Sequence, residues 1–510
     1  MFLQIFLLFS SGVFAVKLPG NSVLPKLKLT TGYLAGNSEG NWKLFYSLIE
    51  ARDLPKSKAP LLIWFNGGPG CTSLGGMFEE FGPLYPHFDG KTLFENVNSW
   101  YHKSNLLFIE SPIGVGFSYD TKKANNTKAD DMTTAKMNFY AITNFFDKKH
   151  PEYKNNEFFI GTESYGGVYG PMLSSLIIES IANKLFPNEN FKGLMIGNGF
   201  MNSKLTQNMQ IIWGVYHART HVDEWEEIKE KCRTKGAKDV DNYDFTEFMT
   251  TSNNMDWTAN NSTECGLLID TLIAKPFEEL TYDFYNYYQV CYVNMTTTPD
   301  PYKETLKKIK KNGIQALLNT YGTNPLGMSC WLDSALKKYL NRKDVQKSLK
   351  IDELWRTRDK EWNICSSDLY ENYTMTYNDM TPFFSRIFEN NTLPNFRILL
   401  YNGDIDTACN YLADQYFARN LARLHGFKKI IKHSPWFHSE MKNLAGFYLR
   451  YESPNSNRTR ITLDVLTVKG AGHFVPFDKP AESYQMFNNF IFSQNPNYSK
   501  PIISSFFTKL

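Results

Sequence analysis

Three residues far apart in the chain have the types and order that a nucleophile, an orienting acid and a base require: Ser164, an aspartate at 404 or 406, and His473. Ser164 stands in Phe158-Phe159-Ile160-Gly161-Thr162-Glu163-Ser164-Tyr165-Gly166-Gly167. An apolar strand, a sharp turn and a helix start would lift its hydroxyl above a sheet edge where substrate can reach it. A serine hydroxyl is a poor nucleophile at its free pKa, so it needs a base. Of the nine histidines, His473 suits that role best, because it follows a strand-like run in the turn Gly470-Ala471-Gly472, which lets its ring project. An aspartate would then hold the imidazole in the productive tautomer and stabilise the imidazolium. Asp404 and Asp406 both qualify, and spacing does not choose between them. The strict form of the serine turn has glycine two residues before the serine; this chain has Thr162 there, with Gly161 one step earlier.

The run Asn66-Gly67-Gly68-Pro69-Gly70 is the second reactive element. Glycines after a strand let the backbone approach a ligand closely, and their N–H groups can face a developing oxyanion. The N–H of Tyr165, the residue after the serine, would be the other donor.

A sheet must position these groups. Apolar runs at 61–65, 106–109, 158–160, 193–196, 397–401 and 463–468 each lead into a turn of small or polar residues. With helical stretches between them, they predict strands of a largely parallel sheet buried on both faces. The ligand crevice of such a sheet lies beyond the carboxyl ends of its strands, where every candidate residue falls. From about 203 to 340 the pattern changes to amphipathic helical stretches such as 225–232 and 305–318, with four of the seven cysteines. We read 203–340 as a mainly helical cap inserted between a first core part, 16–202, and a second, 341–510. The aromatic cluster Tyr282, Phe284, Tyr285, Tyr287 and Tyr288 reads as helix packing rather than pocket lining.

Formal net charge is +3, from 55 basic and 52 acidic residues, so no long-range field selects nucleic acid or an anionic membrane. The basic run 303–311 alternates with Leu306 and Ile309 as a solvated helix face would. Residues 2–16 are uncharged and apolar-rich, too short to span a bilayer, with an acceptable cleavage pattern after Ala15, so 1–15 reads as a signal peptide. No later run approaches a membrane span, and the mature chain is expected to be soluble in the secretory system. Asn-x-Ser/Thr sequons at Asn125, Asn260, Asn261, Asn294, Asn372, Asn390, Asn457 and Asn497 agree with that route. So do seven cysteines without a Cys-x-x-Cys pair; an odd count leaves at least one thiol free or paired outside the chain.

Five blocks together resemble the serine carboxypeptidases, the family of cathepsin A and carboxypeptidase Y. They are 64–73, 110–119, 163–167, 401–406 and 470–476, ordered as in that family and spread over residues 25 to 495. The resemblance implies an α/β-hydrolase fold, with a mainly parallel central sheet and a helical cap insertion. It implies a catalytic triad of Ser164, Asp406 and His473, and oxyanion donors at Gly68 and Tyr165. It also implies a site for the substrate's terminal carboxylate formed by Asn66, Glu80 and Glu163. Two glutamates suit an anionic ligand only if protons are retained, so hydrolysis should be favoured at acidic pH. The family pattern pairs Cys71 with Cys365, Cys232 with Cys265 and Cys291 with Cys330, and leaves Cys409 as a free thiol near the site. The expected partners are peptide or protein C-termini. No cofactor or metal is implied, nor nucleic acid or a membrane span. Lysosomal, vacuolar or extracellular location and homodimer formation are left open. Acyl transfer by the same triad, and a protective role toward glycosidases, are the alternative functions.

Overall fold

The computed structural model describes residues 16–500 except 88, 125, 128, 254, 274–282, 290–328, 359–360, 439–442 and 455–458. The signal-peptide segment, the stretch 305–318, the run 303–311, Tyr282 and the side chains of Cys291 and Cys330 therefore lie outside the described residues, as do sequons Asn125, Asn294 and Asn457.

Ten strands follow one another across a single sheet: β1 (Leu29–Ala35), β2 (Trp42–Ile49), β3 (Leu61–Phe65), β4 (Asn105–Ile109), β5 (Phe158–Glu163), β6 (Phe191–Gly197), β7 (Phe396–Gly403), β8 (Lys428–His438), β9 (Asn443–Glu452) and β10 (Ile461–Val468). Their spatial order is β1-β2-β4-β3-β5-β6-β7-β10-β9-β8, and the two-residue strand Tyr119–Asp120 pairs with the start of β2. From β4 through β10 along that order every pairing is parallel, while β1, β2, β9 and β8 join antiparallel at the two ends.

The parallel strands are mostly apolar because both of their faces are buried. Alternate side chains of one strand enter opposite cores. Leu61, Ile63 and Phe65 join the core that contains α1 (Asp131–Asn144) and α2 (Gly166–Ala182), whereas Leu62 and Trp64 join the other. The six strands read from the sequence are present, several longer at their ends. The four antiparallel end strands carry no comparable signal. In β8, lysines, Pro435 and three register shifts break the alternation, features that keep a sheet edge from pairing with another chain.

Between β6 and β7 a third cluster of buried residues forms around Met209, Ile212, Ile228, Phe245, Cys265 and Leu272. It belongs to α3 (Ser203–Tyr216), α4 (Val222–Lys231), α5 (Glu264–Ile269) and the turns between them, with a disulfide joining Cys232 to Cys265. A short hairpin, Met249–Thr251 paired with Trp257–Ala259, stands within the segment that the sequence suggested to be mainly helical. Thr250 and Thr258 face each other across it with hydroxyls 3.0 Å apart, a favourable cross-strand pair. Among the described residues no helix is long and apolar enough to cross a membrane. Asn261, Asn372, Asn390 and Asn497 are exposed, and Asn260 is half-buried.

Candidate active site

Ser164 follows β5 directly and precedes α2, with φ at +61°. A non-glycine residue in this region is strained and is held only by its surroundings. Here the serine N–H donates to the Gly197 carbonyl at 3.0 Å, and its own carbonyl accepts from Phe200 N–H at 2.8 Å and Gly167 N–H at 2.8 Å. A Cβ on Gly167 would lie 2.7 Å from Phe200 N. Thr162, in the place where the strict turn has glycine, fits because Gly166 faces it: a Cβ at 166 would come within 2.7 Å of the threonine Cβ.

His473 and Asp406 are both buried, and His473 Nδ1 lies 2.7 Å from Asp406 Oδ2. The structure thus brings Asp406, rather than Asp404, to the imidazole. Asp404 accepts instead from Gly470 N–H at 2.7 Å, which fixes the turn leading to His473. Asp406 also accepts from Asn198 Nδ2 at 2.7 Å, Ala408 N–H at 2.8 Å and Cys409 N–H at 3.2 Å. These donors fix the carboxylate in place against the imidazole. Cys409 is a buried free thiol beside Ser164, and burial pushes its pKa well up, so the sulfur is held protonated.

The turn after β3 packs against the serine turn. A Cβ on Gly67 would meet Tyr165 N at 2.4 Å and the Glu163 carbonyl at 2.7 Å, so only glycine permits this approach. Gly68 has φ of +112°. Among the described residues neither Gly68 N–H nor Tyr165 N–H donates a hydrogen bond, which leaves both available to a ligand. The Cys71–Cys365 disulfide ties this turn to the second part of the core.

Asn66, Glu80 and Glu163 meet beside Ser164 and are all buried. Asn66 Nδ2 donates to Glu80 Oε1 at 2.9 Å and to Glu163 Oε1 at 3.1 Å. Its amide is aimed by Trp64 Nε1 and Gly76 N–H, which donate to Asn66 Oδ1 at 2.8 and 3.1 Å. Glu80 comes from the wide helical turn Gly76–Glu80. Burial raises the pKa of both carboxyls; the Glu80 charge adds to it for Glu163, which is pushed well above the carboxylate range. A hydrogen bond between the two carboxyls adds to this, lowering the pKa of Glu80 and raising that of Glu163, so the pair is a buried proton-holding site.

Residues that the sequence did not disclose support this site. Asn198 has φ of +42°; besides holding Asp406, its Oδ1 accepts from Gly403 N–H at 3.1 Å. Asp414 accepts from Asn402 Nδ2 at 2.8 Å and Gly199 N–H at 3.2 Å, and burial pushes its pKa up to about 8. Asp131 accepts from the Tyr165 hydroxyl at 2.8 Å. Their signal was faint because each acts across a long sequence gap. For Asn198 it was the polar turn after a predicted strand.

A serine at positive φ between a parallel strand and a helix, with a buried aspartate on a histidine at later strand ends, defines an α/β-hydrolase. The fold is shared with a carboxypeptidase from Saccharomyces cerevisiae, Kex1(delta)p, at a TM-score of 0.66 and 21% identity over 94% of this chain and 95% of that one. The family model "Serine carboxypeptidase" matches residues 19–493. A Caenorhabditis elegans serine carboxypeptidase, ctsa-3.2, is 56% identical, covering 97% of each chain. The mouse lysosomal protective protein is 30% identical over 93% of this chain and 92% of its own. The chain belongs to the serine carboxypeptidase family and is a serine-type carboxypeptidase.

Two expectations follow. Asn198→Gly suits the positive φ and removes both the acceptor of Gly403 N–H and a charge-assisted bond to Asp406, the latter of a kind worth about 1.5–3 kcal/mol, so kcat should fall roughly 10- to 100-fold with KM little changed. Steady-state kinetics at saturating substrate check this. Burial also pushes Glu110 to about 7 and Asp478 to about 7. With Asp414 and Glu163 these carboxyls hold protons in the fold that the unfolded chain has released, so stability falls as pH rises from the ordinary carboxylate range to about 8. Melting temperature should be higher at pH 5 than at pH 8, as scanning calorimetry would record.

Proposed function

We propose that this enzyme removes single residues from peptide C-termini through an acyl-enzyme on Ser164, and works best in acid. The observation that carries the reading is the buried Asn66–Glu80–Glu163 cluster beside the serine. Ser164 Oγ attacks the last peptide carbonyl while His473 takes the hydroxyl proton, and Asp406 stabilises the imidazolium. The N–H groups of Gly68 and Tyr165 receive the oxyanion. His473 returns the proton to the departing amine as the C–N bond breaks, and water then releases the acyl group by the same route. The leaving residue's carboxylate accepts hydrogen bonds from the Asn66 amide and from a protonated glutamate. An internal peptide bond offers no carboxylate at that distance, which restricts cleavage to the last residue.

The sign of the pH effect follows from the raised carboxyls. While neutral they donate to the substrate carboxylate; as pH rises through their pKa values they become anions and repel it. The same logic suits a lysosomal, vacuolar or acidic extracellular setting, which the disulfides, the exposed sequons and the apolar start of the chain also favour.

With an N-blocked dipeptide, KM should rise steadily from pH 5 to pH 8, and Glu163→Gln should flatten the slope. A KM that is flat from pH 4 to pH 8 in the wild-type enzyme would sink the proton-dependent clamp. Ser164→Ala should release no C-terminal amino acid; retained activity would refute the nucleophile.

A further inference from the structure

The segment 283–289 belongs to the insertion between β6 and β7, yet it touches both loops that carry the proposed acid and base. On the acid side, Tyr287 N–H donates to the Ile405 carbonyl at 3.1 Å, and the Thr407 hydroxyl donates to the Phe284 carbonyl at 2.5 Å. On the base side, His473 N–H donates to the Tyr285 carbonyl at 2.7 Å. The Tyr285 ring lies against the imidazole, centroids 4.5 Å apart. A Cβ on Gly472 would fall 2.1 Å from the Tyr285 carbonyl, so the glycine before the histidine admits the segment. The described part of this aromatic cluster is not helical, contrary to the packed helix that its composition suggested. Its backbone groups are shared between bonds within the segment and bonds that link the Phe284 and Tyr285 carbonyls and Tyr287 N–H to the catalytic loops.

One buried carboxyl joins the segment to the histidine turn. Asp478 Oδ2 accepts from Gly472 N–H at 2.7 Å and from Asn286 Nδ2 at 3.0 Å, and Gln289 Nε2 lies 3.5 Å from Oδ1. Within the segment, Asp283 Oδ1 accepts from Tyr285 N–H at 2.8 Å, which shapes the bend that presents the Tyr285 carbonyl. We infer that 283–289 is a positioning strap for the triad, with Asp478 as the anchor that fastens it to the His473 turn. The strap makes the cap insertion part of the catalytic framework and not only a cover over the crevice. The inference rests on the reading of Ser164, Asp406 and His473 as the triad.

A positioning role separates kcat from KM, because the strap's hydrogen bonds reach Ile405, Thr407 and His473, the positions that orient the imidazole. Asn286→Ala removes the strap's shorter bond to its anchor while keeping the Gln289 contact and the Asp478–Gly472 bond, and Asp478→Ala removes all three. Each should lower kcat, per active site titrated with an organophosphorus ester, roughly 10- to 100-fold, with KM within about twofold of wild type. Labelling of Ser164 by that ester should slow in the same proportion. Asp478→Asn keeps an acceptor for both donors and should recover most of kcat. Wild-type kcat in correctly folded Asn286→Ala, or a rise in KM with kcat unchanged, would overturn the strap. The labelled peptide tests the underlying triad separately, since label on a serine other than Ser164 would refute that reading instead.

Discussion

Two carboxyl groups buried side by side cannot both be charged, and the floor of this crevice is built around that constraint. Two like charges about 4 Å apart repel by roughly 4 kcal/mol even at an effective dielectric of about 20, and burial adds a desolvation cost to each. Glu80 and Glu163 therefore keep a proton in the folded enzyme, and Asn66 places one amide hydrogen on each. Trp64 and Gly76 exist in this arrangement to aim that amide. Because Glu163 is also the residue before Ser164, the serine and the carboxyl pair are set by the same strand end. In the function we propose, that adjacency is what turns a hydrolase crevice into a carboxypeptidase site.

The remaining geometry follows from backbone crowding where the parallel strands end. Gly67 lets the turn after β3 reach the turn after β5, where a Cβ would meet Tyr165 N and the Glu163 carbonyl. Asn198 holds the loop after β6 against the loop after β7, with one end on Asp406 and the other on Gly403 N–H. The segment 283–289, between β6 and β7, joins the Asp406 loop to the His473 turn. Apart from Glu163 and Ser164, the side chains that converge here come from strand ends far apart in sequence.

The parallel strands and the serine, glycine and histidine turns were legible in the sequence because their signals are local. An apolar run buried on both faces has no polar partner to hide it, and a glycine turn after it is visible at once. The choice between Asp404 and Asp406 was not legible from spacing: both lie in one loop, and only the fold sends one to the imidazole and the other to Gly470 N–H. Asn198 and Asp478 were hidden for a different reason. Each is an ordinary polar residue whose partner is fixed by tertiary packing, across 208 residues for Asn198 and Asp406. The end strand β8, with its lysines, proline and register shifts, avoids the pattern by which strands are read.

The most direct measurement is proton uptake when a peptide carboxylate binds the Ser164→Ala enzyme, followed calorimetrically in buffers of different ionisation enthalpy from pH 5 to pH 9. A neutral Glu80–Glu163 pair predicts little uptake in acid, rising toward one proton per peptide as the free pair ionises, with the rise abolished in Glu163→Gln. Binding without proton uptake at any pH, at unchanged affinity, would contradict the account.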